Sequence, residues 1–174
     1  MYVYVSFSME KIELLQSVSL FWDLPKEQLG YIANQMIPKK YTSGEYFFLE
    51  DSEGEQCFFV IHGSVKVTRL SKDGREVILA ILSEGEFFGE MSLLDGDARS
   101  ANVIALEDTK VFTLNRQDFL NVIKENPLIA IELLKVLGQR LRKSDRQITS
   151  LSLSDAEKRI ALCILRIADE QGTI

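Results

Sequence analysis

Between Tyr41 and Phe119 the chain repeats one pattern: short runs of Val, Ile, Leu, Phe and Cys separated by polar turns that carry glycine. The runs include Cys57-Phe58-Phe59-Val60-Ile61, Val65-Lys66-Val67-Thr68 and Val77-Ile78-Leu79-Ala80-Ile81-Leu82. Glycines stand at 44, 54, 63, 74, 85, 89 and 96. Short strands with turn signals at that spacing predict an all-β sandwich or barrel. Lys72-Asp73-Gly74 lies between Val65–Leu70 and Glu76–Leu82, and its Asp-Gly chemistry predicts a hairpin. Strands joined by short turns pair antiparallel, which favours a jelly roll over a parallel sheet.

Helical periodicity flanks this block. Residues 9–20 form a short amphipathic segment through Ile12, Leu14, Leu15, Val18 and Leu20. A second segment starts at Asp23 or Leu24, with Pro25 early in the helix and Leu29, Ile32 and Ala33 on one face. Asn126-Pro127 reads as N-cap and first residue of a third. Beyond it Leu134, Leu137, Leu141, Ser144, Ile148 and Leu151 recur at alternating spacings of 3 and 4, a heptad seam set among charged residues. A helix over 127–153 is about 40 Å long, more than a single sandwich needs for its own core. A parallel homodimeric coiled coil accounts for it; a helix packed along its own domain is the simpler alternative. Ser154-Asp155-Ala156-Glu157 then has the form of a capping box, so a new helix is expected over 155–170.

The expected organisation is therefore an N-terminal extension over 1–8, a jelly-roll domain over 9–126, a dimerisation helix over 127–153 and, over 154–174, the first helix of a further domain. The fold class is α+β, mainly β: an antiparallel jelly roll (double-stranded β-helix) flanked by short helices, with the long helix C-terminal to it.

Charge and composition narrow the chemistry. The 174 residues carry a net charge of −6, unevenly divided: residues 1–126 hold twelve Lys/Arg against twenty Asp/Glu, and residues 127–174 hold eight against six. An acidic first part argues against non-specific nucleic-acid binding there. Two distant cysteines, Cys57 and Cys163, cannot staple a disulfide scaffold and read as buried thiols. A single histidine, His62, excludes a several-imidazole metal centre and reads as a residue flanking the turn at Gly63. No phosphate-binding G-x-x-x-x-G-K-[ST] loop, membrane-length apolar run or export signal occurs, so the expectation is a cytoplasmic protein that is not an enzyme.

The informative segment runs Glu86-Phe87-Phe88-Gly89-Glu90-Met91-Ser92-Leu93-Leu94-Asp95-Gly96-Asp97-Ala98-Arg99-Ser100-Ala101-Asn102-Val103. It places a Gly-Glu pair at the end of a strand, a turn-rich stretch, and an Arg-Ser pair entering the next strand. Glycine lets backbone approach a ligand closely, a carboxylate accepts from hydroxyls, and the planar arginine fork matches phosphate oxygens. This set suits a sugar phosphate. Spacing alone equally allows a Glu90–Arg99 salt bridge closing a surface loop.

Phe88-Gly89-Glu90, Leu93-Leu94, Gly96 and Arg99-Ser100-Ala101 together resemble the phosphate-binding cassette of cyclic-nucleotide-binding domains. From about residue 11 onward the chain is similar to the sensor half of the Crp/Fnr family of bacterial transcription regulators. The resemblance implies that Glu90 holds the ribose 2′-hydroxyl, that Arg99 pairs with the cyclic phosphate, and that Ser100 adds a phosphate contact. Backbone near Gly89 and Ser92 lines the site, and Val67, Leu79, Ala80 and Leu82 form its apolar wall. On the dimer helix, Ser144 and Asp145, preceded by the basic Arg140, match the positions that meet the base. Ser144 is also the polar member of the heptad seam, where it can simply fix register. Ala98 stands where many members have proline, which should leave the loop less stiff. The resemblance further implies a homodimer, cAMP as ligand with no other cofactor, DNA binding through a C-terminal helix-turn-helix domain, and contact with RNA polymerase. A Crp/Fnr-like regulator for another effector (a cyclic dinucleotide or a small organic ligand) and a regulatory module of a kinase or channel are the alternatives.

Overall fold

A computed structural model describes residues 11–71, 73–153, 160 and 164. Its contacts divide the chain into two compact units, 1–130 and 131–174.

The first unit is built on eight strands: β1 (Ile37–Tyr41), β2 (Tyr46–Phe48), β3 (Gln56–His62), β4 (Val65–Leu70), β5 (Glu76–Leu82), β6 (Phe87–Phe88), β7 (Asn102–Ala105) and β8 (Thr109–Asn115). They form two four-stranded sheets, ordered β1-β8-β3-β6 and β2-β7-β4-β5, and every pairing is antiparallel. This is the jelly-roll architecture expected from the strand spacing. The β4–β5 hairpin forms where Asp73-Gly74 predicts it. The Ser71 N–H donates to the Arg75 C=O at 2.8 Å, and Gly74 sits at φ 78°, a left-handed conformation suited to glycine.

The core follows from β3, whose residues from Cys57 to Ile61 are all buried, as expected of a strand covered on both faces. Phe58 stacks on Phe88 across β3 and β6 with ring centroids 5.1 Å apart, and Phe47 meets both rings edge-on. Val60, Val65, Leu82, Val103 and Val111 complete this cluster. Burying such rings and branched chains stabilises the unit by roughly 1.5–3 kcal/mol each.

The helices differ in detail from the periodicity reading. Residues 11–16 are helical (α1), followed by a 3-10 turn at Ser19–Phe21. Helix α2 (Lys26–Gln35) starts later than expected, because Pro25 serves as its N-cap rather than as an interior residue. Leu29, Ile32 and Ala33 are its buried face, as predicted. Two helices break the stretch read as strands: α3 (Met91–Asp95) within the cassette, and α4 (Arg116–Glu125), which starts after β8 and runs beyond Phe119. Helix α4 carries its own start signal, since the Asn115 side chain accepts from the Asp118 N–H at 2.9 Å. Phe119 and Val122, three residues apart, are its buried face.

Helix α5 runs Pro127–Leu153. At the junction the Asn126 C=O accepts from the Ile129 N–H at 2.9 Å, while its side-chain amide donates back to the Val122 C=O at 3.2 Å. Along α5 the seam residues Leu134, Leu141 and Ile148 are 61–68% exposed. The side chain of Leu151, the capping box at Ser154, most of the helix expected over 155–170, Cys163 and the extension over 1–8 lie outside the described residues. Ile160 and Ile164 are helical.

Candidate cyclic-nucleotide site

The cassette joins the two sheets. Strand β6 ends at Phe88, Gly89 turns the chain at φ 79°, and Glu90 precedes α3, with its C=O accepting from the Leu93 and Leu94 N–H groups at 3.1 Å. Gly96 ends the short helix in a left-handed cap at φ 83°. The chain then reaches Arg99, whose backbone is held from a second loop. Its N–H donates to the Ser52 C=O and its C=O accepts from the Asp51 N–H, both at 2.9 Å. Asp51, at φ 63°, is the one non-glycine residue with a positive φ among those described, a conformation that asparagine and aspartate tolerate best. Asn102 extends the same seam: its side-chain oxygen accepts from the Glu50 N–H at 2.9 Å.

These bonds carry the Arg99 side chain inward, where the residue is only 4% exposed. Nη1 donates to the Gly89 C=O at 2.7 Å and to Ser92 Oγ at 2.9 Å, and Nη2 donates to the Gln56 C=O at 2.5 Å. The guanidinium lies 4.1 Å from the Phe48 ring centroid, a cation–π distance. Arg99 Nε is buried without a hydrogen-bond partner, an orphaned donor in a cationic site. Burial pulls the guanidinium below its ordinary pKa, opposed by the carboxylates of Glu90 and Glu55. Glu90 is 2% exposed and also acts on Cys57, whose thiol is pushed up first by burial and then by that carboxylate. Cys57 is free and buried, with Sγ 3.6 Å from the Leu114 C=O.

Two glycines make room for this arrangement. A Cβ on Gly54 would lie 2.2 Å from Ser92 Oγ and 2.8 Å from Arg99 Nε, and one on Gly89 would lie 2.7 Å from Arg99 Nη1. Gly89 is part of the sequence motif. Gly54, Gln56 and Phe48 were not among the residues the motif singles out. The faint signal was Gly54 itself, a turn glycine in the periodic series with no strand pattern around it.

The structure thus brings Gly89, Glu90, Ser92 and Arg99 together. Ser100 faces outward, its Oγ 3.9 Å from Met91 Sδ. Of the predicted wall, Val67 and Ala80 are cross-strand partners packed on the core beside Leu82, which is 5% exposed. Leu79 is different. It is the residue left unpaired where β4 and β5 change register between Val67 and Thr68, and it is 41% exposed. A surface concavity of about 260 Å³ lined by Glu27, Gln28, Tyr31, Glu125 and Asn126 contains no cassette residue, and its two carboxylates do not suit an anionic ligand.

Arg140, Ser144 and Asp145 belong to the second unit. Ser144 Oγ donates to the Arg140 C=O at 3.1 Å, a bond back to the preceding turn of its own helix, and Ser144 and Asp145 are exposed. His62 ends β3 with Nδ1 3.9 Å from Glu84 Oε2 and is exposed, as a turn-flanking residue should be. Among the described residues no three His, Cys, Asp or Glu cluster as metal ligands, and no helix is long and apolar enough to cross a membrane.

Two antiparallel sheets bridged by a Gly-Glu…Arg-Ser cassette define a cyclic-nucleotide-binding type of β-domain. The family profile "Cyclic nucleotide-binding domain" matches residues 38–126. The Cyclic AMP receptor protein of Thermus thermophilus is 36% identical over 148 residues, covering 85% of this chain and 68% of that protein. Human cGMP-dependent protein kinase 2 is 38% identical over 108 residues, 60% of this chain and 14% of the kinase. The crystal structure of the Thermus thermophilus Catabolite Activator Protein superposes with a TM-score of 0.70 at 37% identity, covering 77% of this chain and 63% of that one. The chain spans about two thirds of the length of these regulators. It belongs to the cyclic nucleotide-binding domain family and, within it, to the Crp/Fnr-type regulators.

Proposed function

We propose that this chain is the cAMP-sensing part of a homodimeric, DNA-binding Crp/Fnr-type transcription regulator. The observation that carries the reading is Arg99: a buried guanidinium with an orphaned Nε–H, seated beside Gly89 and the buried carboxylate of Glu90. Arg99 and Ser100 take the cyclic phosphate, Glu90 takes the ribose 2′-hydroxyl, and Gly89 and Ser92 line the site with backbone. Val67, Leu79, Ala80 and Leu82 form the apolar wall.

Arg140, Ser144 and Asp145 meet the base. The stripe Leu134, Leu137, Leu141, Ser144, Ile148 and Leu151 is the dimer seam, as the exposure of Leu134, Leu141 and Ile148 in a single chain supports. Ligand bound to both sandwich and helix favours one helix arrangement, and that preference passes through residues 154–174 to a DNA-binding domain that contacts RNA polymerase in the cytoplasm. The boundaries 1–8, 9–126, 127–153 and 154–174 delimit these roles. The reading involves no catalysis and no cofactor beyond the nucleotide.

The test is calorimetry of the purified chain with cAMP, cGMP and a cyclic dinucleotide, beside sedimentation equilibrium for the dimer. cAMP binding that survives Arg99→Ala unchanged would falsify the site, and preference for the dinucleotide would replace the ligand. A second reading, the regulatory module of a cyclic-nucleotide kinase, is favoured by the 38% identity to human cGMP-dependent protein kinase 2. It predicts cGMP preference and a monomeric chain.

A further inference from the structure

We propose that Phe48 is a positioning residue for Arg99: its ring is the platform that sets the tilt of the guanidinium, so that the donors left free meet the ligand phosphate. The proposal rests on the cyclic-nucleotide reading of this site and adds a residue to it.

A guanidinium is planar and carries five N–H donors. Three of them are spent, on the Gly89 C=O at 2.7 Å, Ser92 Oγ at 2.9 Å and the Gln56 C=O at 2.5 Å. Nε–H and one Nη2–H remain, an adjacent pair that a phosphate can bridge. The bonds from the two Nη atoms fix that end of the group within its plane, and no hydrogen bond holds the Nε end. Tilting out of the plane is resisted only by what lies against the faces. Phe48 does so: its ring centroid is 4.1 Å from Arg99 Cζ, against 6.0 Å for Phe58. A carbon so close to a centroid stands over the ring's face, because an approach in the ring plane would clash with ring atoms. That face is negative and attracts a cation, more strongly where water is excluded.

Phe48 reaches this place through a break in its strand. Consecutive strand residues point to opposite faces of a sheet, yet Phe47 and Phe48 both pack on the core cluster that contains Phe58 and Phe88. The β2–β7 register shifts between them: Tyr46 pairs with Ile104, and Phe48 pairs with Val103. An irregularity of this kind re-aims a side chain. Strand β7 begins at Asn102, three residues after Arg99, so the pairing that seats Phe48 also brings it beside the cassette.

The neighbouring phenylalanine supplies the control. Phe47 packs edge-on against Phe58 and Phe88, and its own face is stacked on Tyr41. Methionine keeps apolar bulk and removes the ring face. A role limited to core packing makes Phe47→Met and Phe48→Met alike, in melting temperature and in ligand affinity. As a platform, Phe48→Met weakens cAMP binding by about three- to tenfold, whereas Phe47→Met changes it by less than about twofold. Phe48→Tyr keeps a ring face and recovers most of the loss.

The experiment is calorimetry with cAMP on the whole chain for wild type, Phe47→Met, Phe48→Met and Phe48→Tyr. Ligand-free thermal unfolding is measured on each, on Arg99→Gln and on the Phe48→Met/Arg99→Gln double variant. Affinity lost in Phe48→Met alone and recovered in Phe48→Tyr supports the platform. Equal losses in both methionine variants, or unchanged affinity in Phe48→Met, overturn it. Where Phe48→Met does not fold, a fluorinated phenylalanine at position 48 replaces it, keeping the shape while weakening the negative face; wild-type affinity with that ring overturns the platform. If wild type binds no cyclic nucleotide, the functional reading fails separately, and the ligand-free cycle decides the platform. Coupling between Phe48 and Arg99 supports it, and strict additivity overturns it.

Discussion

Arg99 and Arg140 are assigned to one ligand, yet the chain holds them by different means. Arg99 is 4% exposed, bonds to residues 7, 10 and 43 positions away, and has its backbone pinned by a loop half a domain earlier in sequence. Arg140 stands on helix α5, where its C=O accepts from Ser144, four residues on. The surroundings of Arg99 are a product of tertiary packing, complete within one chain. Arg140 is a feature of one helix surface, and Leu134, Leu141 and Ile148 on the same helix are exposed apolar residues.

This contrast can be broken at either end. The largest effect falls on Arg99→Ala, which should weaken cAMP binding by ~2–5 kcal/mol because it removes a desolvated charged partner; Arg140→Ala should cost less than half of that by calorimetry. Equal losses would mean that both arginines contribute alike. Next comes Gly54→Ala. Its new Cβ would press into Ser92 Cβ at 2.7 Å as well as Oγ at 2.2 Å, so denaturant unfolding should show a loss of about 1–3 kcal/mol. A neutral result would show that the loop from 49 to 55 adapts freely and does not pin Arg99.

Smaller effects sharpen the picture. The buried Cys57 thiol has its pKa raised in the folded chain, so the folded state keeps its proton while an unfolded thiol ionises near pH 8.5. The unfolded state then binds fewer protons, and stability falls as pH rises above that value. Between pH 8 and 9.5 the loss from this thiol is about 1 kcal/mol, and Cys57→Ala should remove it from the urea-derived pH profile. The native thiol should also resist alkylation at pH 8. Smallest is Ser144→Ala, at roughly 0.5–1.5 kcal/mol, the worth of one hydrogen bond. It should alter the cAMP-to-cGMP ratio more than the affinity for the shared phosphate; equal loss for both nucleotides removes Ser144 from base recognition.

Much of the fold was legible in the sequence because its signals are local. Asp73-Gly74 specifies a tight turn, the five-residue run from Cys57 to Ile61 specifies a strand buried on both faces, and the apolar spacing of Leu29, Ile32 and Ala33 specifies a helix face. Helix α4 was missed for an equally local reason. It follows β8 with no linker, so Asn115 ends a strand and caps a helix at once, and Phe119 blends into the apolar strand pattern. Leu79 lies where the β4–β5 pairing shifts register between Val67 and Thr68, and it is 41% exposed whereas Leu82 is 5% exposed, a difference that no residue type announces. Within the cassette, Gly89, Glu90 and Arg99 stood out by residue type. Gly54, Gln56 and Phe48 did not, because a glycine, a backbone carbonyl and one phenylalanine among ten carry no chemical label.

By itself the sequence determined the strand order of turns and runs, the heptad stripe of α5, and the presence of a carboxylate and an arginine fork in one cassette. It left open whether Glu90 and Arg99 merely close a loop as a salt bridge. Only the tertiary structure decided where the Arg99 guanidinium goes: to two carbonyls and a serine hydroxyl, over the face of Phe48, with Nε buried and without a hydrogen-bond partner. The physical reason is range. Turn chemistry and periodicity act over a few residues and are written in residue types, whereas the partners of a buried charge come from β3, from the turn after β6 and from the loop beside Gly54, and exist only once the sheets have closed.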